Sequence, residues 1–160
     1  MMKILVVGNG AREHAIAKAL ARSDVELYAA MARRNPGIAG LSKEAVIMDI
    51  NDTEAYGRFK DIDAAFIGPE APLAAGVTDA LNQMEVPVVG PTKAAARLEW
   101  SKAYTREFLD EHGIDGNPDF AVCSSRAEVE AFLREHPDIA AKPDVLTGGK
   151  GVKITGEHLH

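Results

Sequence analysis

Hydrophobic and polar positions change period several times along this chain. Short apolar runs at Lys3–Val7, Glu26–Ala30, Ala45–Met48, Ala64–Ile67 and Pro87–Val89 have the length and composition of strands. Helical periods lie between them. Over Arg12–Arg22, Ala15, Ile16, Ala19 and Leu20 share one face and charges take the other. Over Leu73–Met84 the same spacing predicts burial of Val77, Ala80, Leu81 and Met84. Asn51 precedes Glu54 by three positions, the spacing of a capping box that starts a helix through Phe59. Strands alternating with helices predict an α/β domain, a doubly wound, Rossmann-like parallel sheet that is complete by Gly90.

Beyond "GPTKAAARLEWSK" the pattern changes. A charged helix is expected over Ser101–Glu111, followed by the turn-rich "HGIDGNPDF". Next come a strand at Phe120–Cys123, a helix at Ala127–Arg134 with a Ser125–Glu128 capping box, and a strand at Ile139–Lys142. A glycine-rich loop in "PDVLTGGKGVKIT" then joins two strands. The expected division is residues 1–100 as an amino-terminal substrate-binding domain and 101–160 as a linker helix and the start of a second. So few elements make too little core to stand alone, and the chain looks cut short.

The totals narrow the function. With 46% hydrophobic and 26% charged residues, the chain has enough apolar content for a packed core and is not of disordered type. A net charge of −6 argues against nucleic acid or an anionic membrane as partner. The lone cysteine, Cys123, has no intrachain partner for a disulfide, which fits a cytoplasmic setting, and it reads as a buried strand residue. No signal-peptide pattern opens the chain and no run has the length of a membrane span.

Three stretches carry candidate chemistry. In "GNGAREH", Gly8 and Gly10 follow a strand and open a helix, so backbone N–H groups can approach an anion there. Arg12 adds a fork for phosphate, and Glu13 an acceptor for hydroxyls. The dinucleotide fingerprint would place a third glycine at position 13 and an acid after the second strand; Glu13 and "YAAMARRNPG" meet neither requirement. Arg33 and Arg34 suit a 2′-phosphate, which keeps an NADP oxidoreductase as one alternative. A glycine turn without ligand is another. In "FIGPEAPL", Pro69 and Glu70 stand at the carboxyl end of a strand, where a carboxylate can bind sugar hydroxyls or simply face solvent. In "TGGKG", Gly148, Gly149, Lys150 and Gly151 allow a flap over phosphates, with Lys102 and Lys142 as cations; a plain hairpin turn would have the same composition. It is not a Walker loop, since Gly151 follows Lys150. His14 reads as an exposed helix residue, and Trp100, Tyr104 and Phe108 as a packing stripe.

In order, "GNGAREHAIAKAL", "GPEAPLAAGVTDAL", "VVGPTKAAARLEWSKAYTREFL" and "AAKPDVLTGGKGV" resemble the amino-terminal part of the glycinamide ribonucleotide synthetases (phosphoribosylamine–glycine ligases), which are ATP-grasp enzymes. The resemblance covers essentially the whole chain. It implies a pre-ATP-grasp domain followed by the start of an ATP-grasp domain. It implies an ATP-dependent ligation of glycine to 5-phosphoribosylamine through glycyl phosphate, in de novo purine synthesis. Gly8, Gly10, Arg12, Glu13, Pro69 and Glu70 would then lie at the phosphoribosyl group, and Lys102, Lys142 and Gly148–Gly151 at ATP phosphates. Mg²⁺ or Mn²⁺ ligands, and the remaining carboxyl-terminal part of the enzyme, would lie outside this chain, leaving the chain inactive by itself. A stand-alone phosphoribosyl- or nucleotide-binding module is the non-catalytic alternative. Val145 stands where the family usually has glycine, and a β-branched residue resists positive φ.

Overall fold

The computed structural model describes residues 1–147 and 150–158. It contains two compact units, Met1–Ala96 and Arg97–His160. In the first, strands β1 (Met2–Val7), β2 (Val25–Met31), β3 (Glu44–Ile47), β4 (Ala64–Ile67) and β5 (Val88–Val89) form one parallel sheet of order β3-β2-β1-β4-β5. Register is continuous along the central strand: Ile4 to Val7 pair with Leu27 to Ala30 on one side and with Ala64 to Ile67 on the other. Helix α1 (Ala11–Leu20) and helix α2 (Pro36–Leu41) connect the strands on one face. Val6, Ala17, Leu27, Ala29, Met31 and Ile38 form the core beneath them. Leu5 and Val7 alternate to the opposite face and are equally buried, so the sheet is covered on both sides.

The predicted face of the first helix is only partly the observed one. Ala15 and Ala19 are exposed, Ile16 and Leu20 are half-buried, and the deepest positions are Glu13 and Ala17. His14 is half-buried, because its ring packs on Gly37, where any side chain would collide with it. The stretch around Leu73–Met84 is two helices, α3 (Glu70–Ala75) and α4 (Val77–Gln83). They break at Gly76, whose φ of 101° is left-handed. Val77 and Leu81 are buried as expected, while Ala80 and Met84 are half-buried. The Asn51–Glu54 capping box does not form. Asp49 and Asp52 carboxylates accept the Asn51 and Glu54 N–H groups, and a 3₁₀ helix follows at Glu54–Phe59. Buried Tyr56 donates its hydroxyl to the Ile50 carbonyl, 2.8 Å, and anchors that turn.

Helix α5 (Lys93–Trp100) crosses the division between units; Asp79 accepts its first N–H, 2.7 Å. The second unit holds α6 (Lys102–Glu111), α7 (Arg126–Glu135) and an antiparallel pair, β6 (Ala140–Ala141) and β7 (Lys153–Ile154). Ser125 accepts the Glu128 N–H at the start of α7, but the Glu128 carboxylate closes on the Ser124 N–H, 2.7 Å, one residue before the cap. Phe120–Cys123 has no strand partner among the described residues, and Cys123 is only half-buried. Trp100, Tyr104 and Phe108 are half-buried too; Arg97 stacks on Tyr104 and His112 on Phe108. No helix of the described residues is long and apolar enough to cross a membrane.

Candidate functional site

Strand order reverses direction between β1 and β4, so the loops leaving those two neighbours diverge over opposite faces and leave a crevice at their carboxyl ends. Gly8–Gly10 follows β1 and Gly68–Glu70 follows β4. Gly8 has φ 120°, donates its N–H to Ala30, and faces Pro69 so closely that a Cβ would stand 2.8 Å from the ring. Pro69 caps α3 with an extended backbone, and Glu70 is its first residue. Asn35 ties in the third loop by donating to the Asn9 carbonyl, 3.0 Å, while its own carbonyl accepts two N–H groups of α2.

Arg12 and Glu13 join the two switch-point loops. The Arg12 Nε–H donates to Glu13, 3.1 Å; its Nη2 donates to the Gly68 carbonyl and lies 3.6 Å from the Glu70 carboxylate. Hydrogen bonding to Glu13 raises the guanidinium pKa despite some desolvation, so Arg12 stays cationic. Its side chain is 56% exposed and Nη1 makes no hydrogen bond among the described residues. Glu13 is buried, and its other oxygen accepts the Gly10 N–H, 2.6 Å. This is half of a capping box, since Gly10 has no side chain to return the bond. Gly68 was not singled out from the sequence, although it stands beside Pro69 and Glu70 in "FIGPE".

A cavity of about 320 Å³ lies toward the other end of the strands, lined by Lys3, Tyr28, Glu44, Arg58 and Asp61 among others. Two of its charged groups answer one another, in the 3.2 Å Arg58–Glu44 pair. The crevice at the carboxyl ends is the better site on chemical grounds.

The second unit contributes a separate constellation. Ser101 caps α6, and the Asp144 carboxylate accepts both the Ser101 hydroxyl and the Ala103 N–H, each 3.0 Å. Burial opposes ionisation of Asp144, but these donors and nearby Lys102 hold its carboxyl below the usual range. Lys102 Nζ donates to the carbonyls of Pro143 and Val145, 3.0 Å each. Lys142 directly follows β6 and is exposed; Lys150 is exposed and donates its N–H to Thr147. Gly151 has φ 88° and backs onto Pro143. Gly148 and Gly149 lie outside the described residues. Val145 does not take positive φ, which among described non-glycine residues only Glu85 does. Ser101 and Asp144 carried no signal of this role, being forty-three residues apart.

A family model described as phosphoribosylglycinamide synthetase, N domain, matches residues 2–99. The chain is 52% identical to the phosphoribosylamine–glycine ligase of Methanoregula boonei, an alignment covering 99% of this chain and 38% of that protein. The crystal structure of phosphoribosylamine–glycine ligase from Thermotoga maritima superposes with a TM-score of 0.75 at 26% identity, over 96% of this chain and 36% of that one. N5-carboxyaminoimidazole ribonucleotide synthetase from the same organism shares the fold, with a TM-score of 0.77 at 18% identity over 98% of this chain and 42% of that one. The chain thus spans less than two-fifths of the length of its ligase relatives. Neither an oxidoreductase nor a free-standing binding module is supported by these likenesses. The chain belongs to the phosphoribosylglycinamide synthetase N-domain family.

Proposed function

We propose that this chain is the amino-terminal part of a phosphoribosylamine–glycine ligase, a cytoplasmic enzyme of de novo purine synthesis. The complete enzyme joins glycine to 5-phosphoribosylamine with ATP, giving glycinamide ribonucleotide, ADP and phosphate. A glycine carboxylate oxygen attacks the γ-phosphorus of ATP and ADP leaves. The amine nitrogen of phosphoribosylamine then attacks the acyl carbon, phosphate leaves, and the nitrogen gives up a proton. Phosphoryl transfer of this kind depends on positioning and charge neutralisation. Among the described residues no three His, Cys, Asp or Glu side chains gather as metal ligands, and the ligands for Mg²⁺ or Mn²⁺ belong to the remaining part of the enzyme in this reading.

In this reading Gly8, Gly10, Arg12, Glu13, Pro69 and Glu70 build the phosphoribosylamine side. Lys102, Lys142, Lys150 and Gly151, with Gly148 and Gly149, belong to the ATP side. Lys142 is exposed and offers a point charge. Lys102 has two donors committed to carbonyls, which leaves its third for a phosphate oxygen. The observation that carries the reading is Arg12: a cation fixed across the switch-point loops by Nε and Nη2, with Nη1 left to a ligand.

The test is Arg12→Ala in the complete ligase. Loss of a charge-assisted pair of about 1.5–3 kcal/mol should raise the KM for phosphoribosylamine roughly 10- to 150-fold and leave the KM for ATP nearly alone. A change confined to ATP, or no kinetic change, would refute it.

A further inference from the structure

Glu13 has a second property that the ligase reading, on which this inference rests, does not require. It is a charged side chain only 3% exposed, at the position where a dinucleotide fingerprint has its third glycine. Three glycines on two loops open around its side chain. A Cβ at Gly8 would stand 2.7 Å from Glu13 Cγ, one at Gly10 2.8 Å from its Oε2, and one at Gly68 2.6 Å from Cγ and Cδ. Only Gly8 needs glycine for its backbone, with φ 120°. Gly10 has φ −84° and Gly68 has no positive φ, so neither backbone is in the left-handed region that favours glycine. Space for Glu13 is what demands glycine there.

A buried carboxylate is costly unless its lone pairs are met. Glu13 meets this condition with one N–H on each carboxylate oxygen, both from residues just before it in sequence, Gly10 at 2.6 Å and Arg12 Nε at 3.1 Å, at the positive end of α1. The Gly10 N–H is therefore already taken and is closed to a ligand anion. Both carboxylate oxygens are committed inward, and Arg12 is aimed by the pair toward Gly68 and Glu70.

We infer that Glu13 is a positioning residue, not a substrate ligand: its buried carboxylate sets the spacing of the Gly8–Gly10 and Gly68–Glu70 loops and the orientation of Arg12 for phosphoribosylamine. Gly68 is its steric counterpart across the crevice.

The experiment uses the complete ligase. Glu13→Gln keeps the volume but turns an amide NH₂ or an uncharged oxygen toward Arg12, so the KM for phosphoribosylamine should rise about tenfold or more. The KM values for ATP and glycine should stay within about twofold. Gly68→Ala should raise the same KM by displacing Glu13. Shortening the acid relieves that collision, so Glu13→Asp combined with Gly68→Ala should be at least about threefold better than the product of the single effects. An unmoved phosphoribosylamine KM in Glu13→Gln overturns the inference. So does a parallel loss for all three substrates, which would mean a merely structural role, and so do strictly multiplicative effects in the double variant. Should Glu13→Gln not fold, the double-variant comparison decides alone. Wild-type protein that ligates no glycine sinks the ligase reading itself, a result separable from all of these.

Discussion

Arg12 looks like an exposed first-turn residue whose removal would leave stability untouched. Its contacts reverse that expectation. Arg12→Ala leaves the buried Glu13 carboxylate with the Gly10 N–H alone, and leaves the Gly68 carbonyl without its donor. A loss of about 1–3 kcal/mol is expected, discounted toward the low end because the arginine is 56% exposed, and read as a lower urea midpoint. Tyr56 makes a different residue-scale prediction. Burial, then Asp49 and Asp52, push its phenol well above the ordinary value of 10.0. A folded-state pKa above the unfolded one stabilises fully below about pH 10, and the contribution fades as pH climbs toward the folded value. Tyr56→Phe should cost about 1–2 kcal/mol at neutral pH, through the bond to Ile50, and should flatten the fall in melting temperature between pH 9 and about pH 11. An equally steep alkaline fall in the variant would put the titration elsewhere.

Among elements, capping shows how far local spacing carries. Ser125 caps α7 as its spacing predicts, because cap and donor are three residues apart in the same turn. At Asn51 the spacing misleads: Asp49 and Asp52 offer carboxylates two residues from each N–H, and that tighter turn wins. The start of α6 depends on a distant residue, Asp144. Asp144→Ala should speed amide exchange at Ala103 and Tyr104 by about tenfold or more, while the middle of α6 keeps its protection. In wild-type protein the cap is complete above the ordinary carboxyl pKa of 3.8 and is lost as pH falls through the lowered folded value. Exchange at Ala103 should therefore stay slow to about pH 4. Unchanged exchange in the variant would leave Ser101 as the only effective cap.

Across the whole molecule, apolar burial is uneven. Every fully buried apolar side chain of the described residues falls between Leu5 and Ala96, whereas Ser101 is the one buried residue beyond it. A fragment of residues 1–100 should unfold cooperatively in urea, with a slope of about 1 kcal/mol/M. A fragment of 101–160 should give collapsed amide dispersion and no transition, since it has little core to lose. A cooperative transition in the second fragment would overturn this division of stability.

Period and punctuation alone determined the five strands of the parallel sheet and their parallel arrangement, but misled at Phe120–Cys123, which pairs with no strand among the described residues. These are local properties: an apolar run of strand length, a glycine turn and a following amphipathic segment leave few ways to bury the apolar groups. The four ordered motifs determined the family for the same reason, being stretches of contiguous residues. Two short helices, α2 and α5, escaped because six residues of "PGIAGL" and eight of "KAAARLEW" make too few turns for a period to show. Which side of α1 is buried was decided only by packing on the sheet, since its alanines fit either side and Glu13 could turn inward only where Gly68 made room. The roles of Gly68 and Asp144 arise from contacts fifty-six and some forty residues apart. No spacing rule spans such a distance. The register of β1 with β4 and the fold of the loop at Asp144 set those distances, and they exist only once the chain has closed on itself.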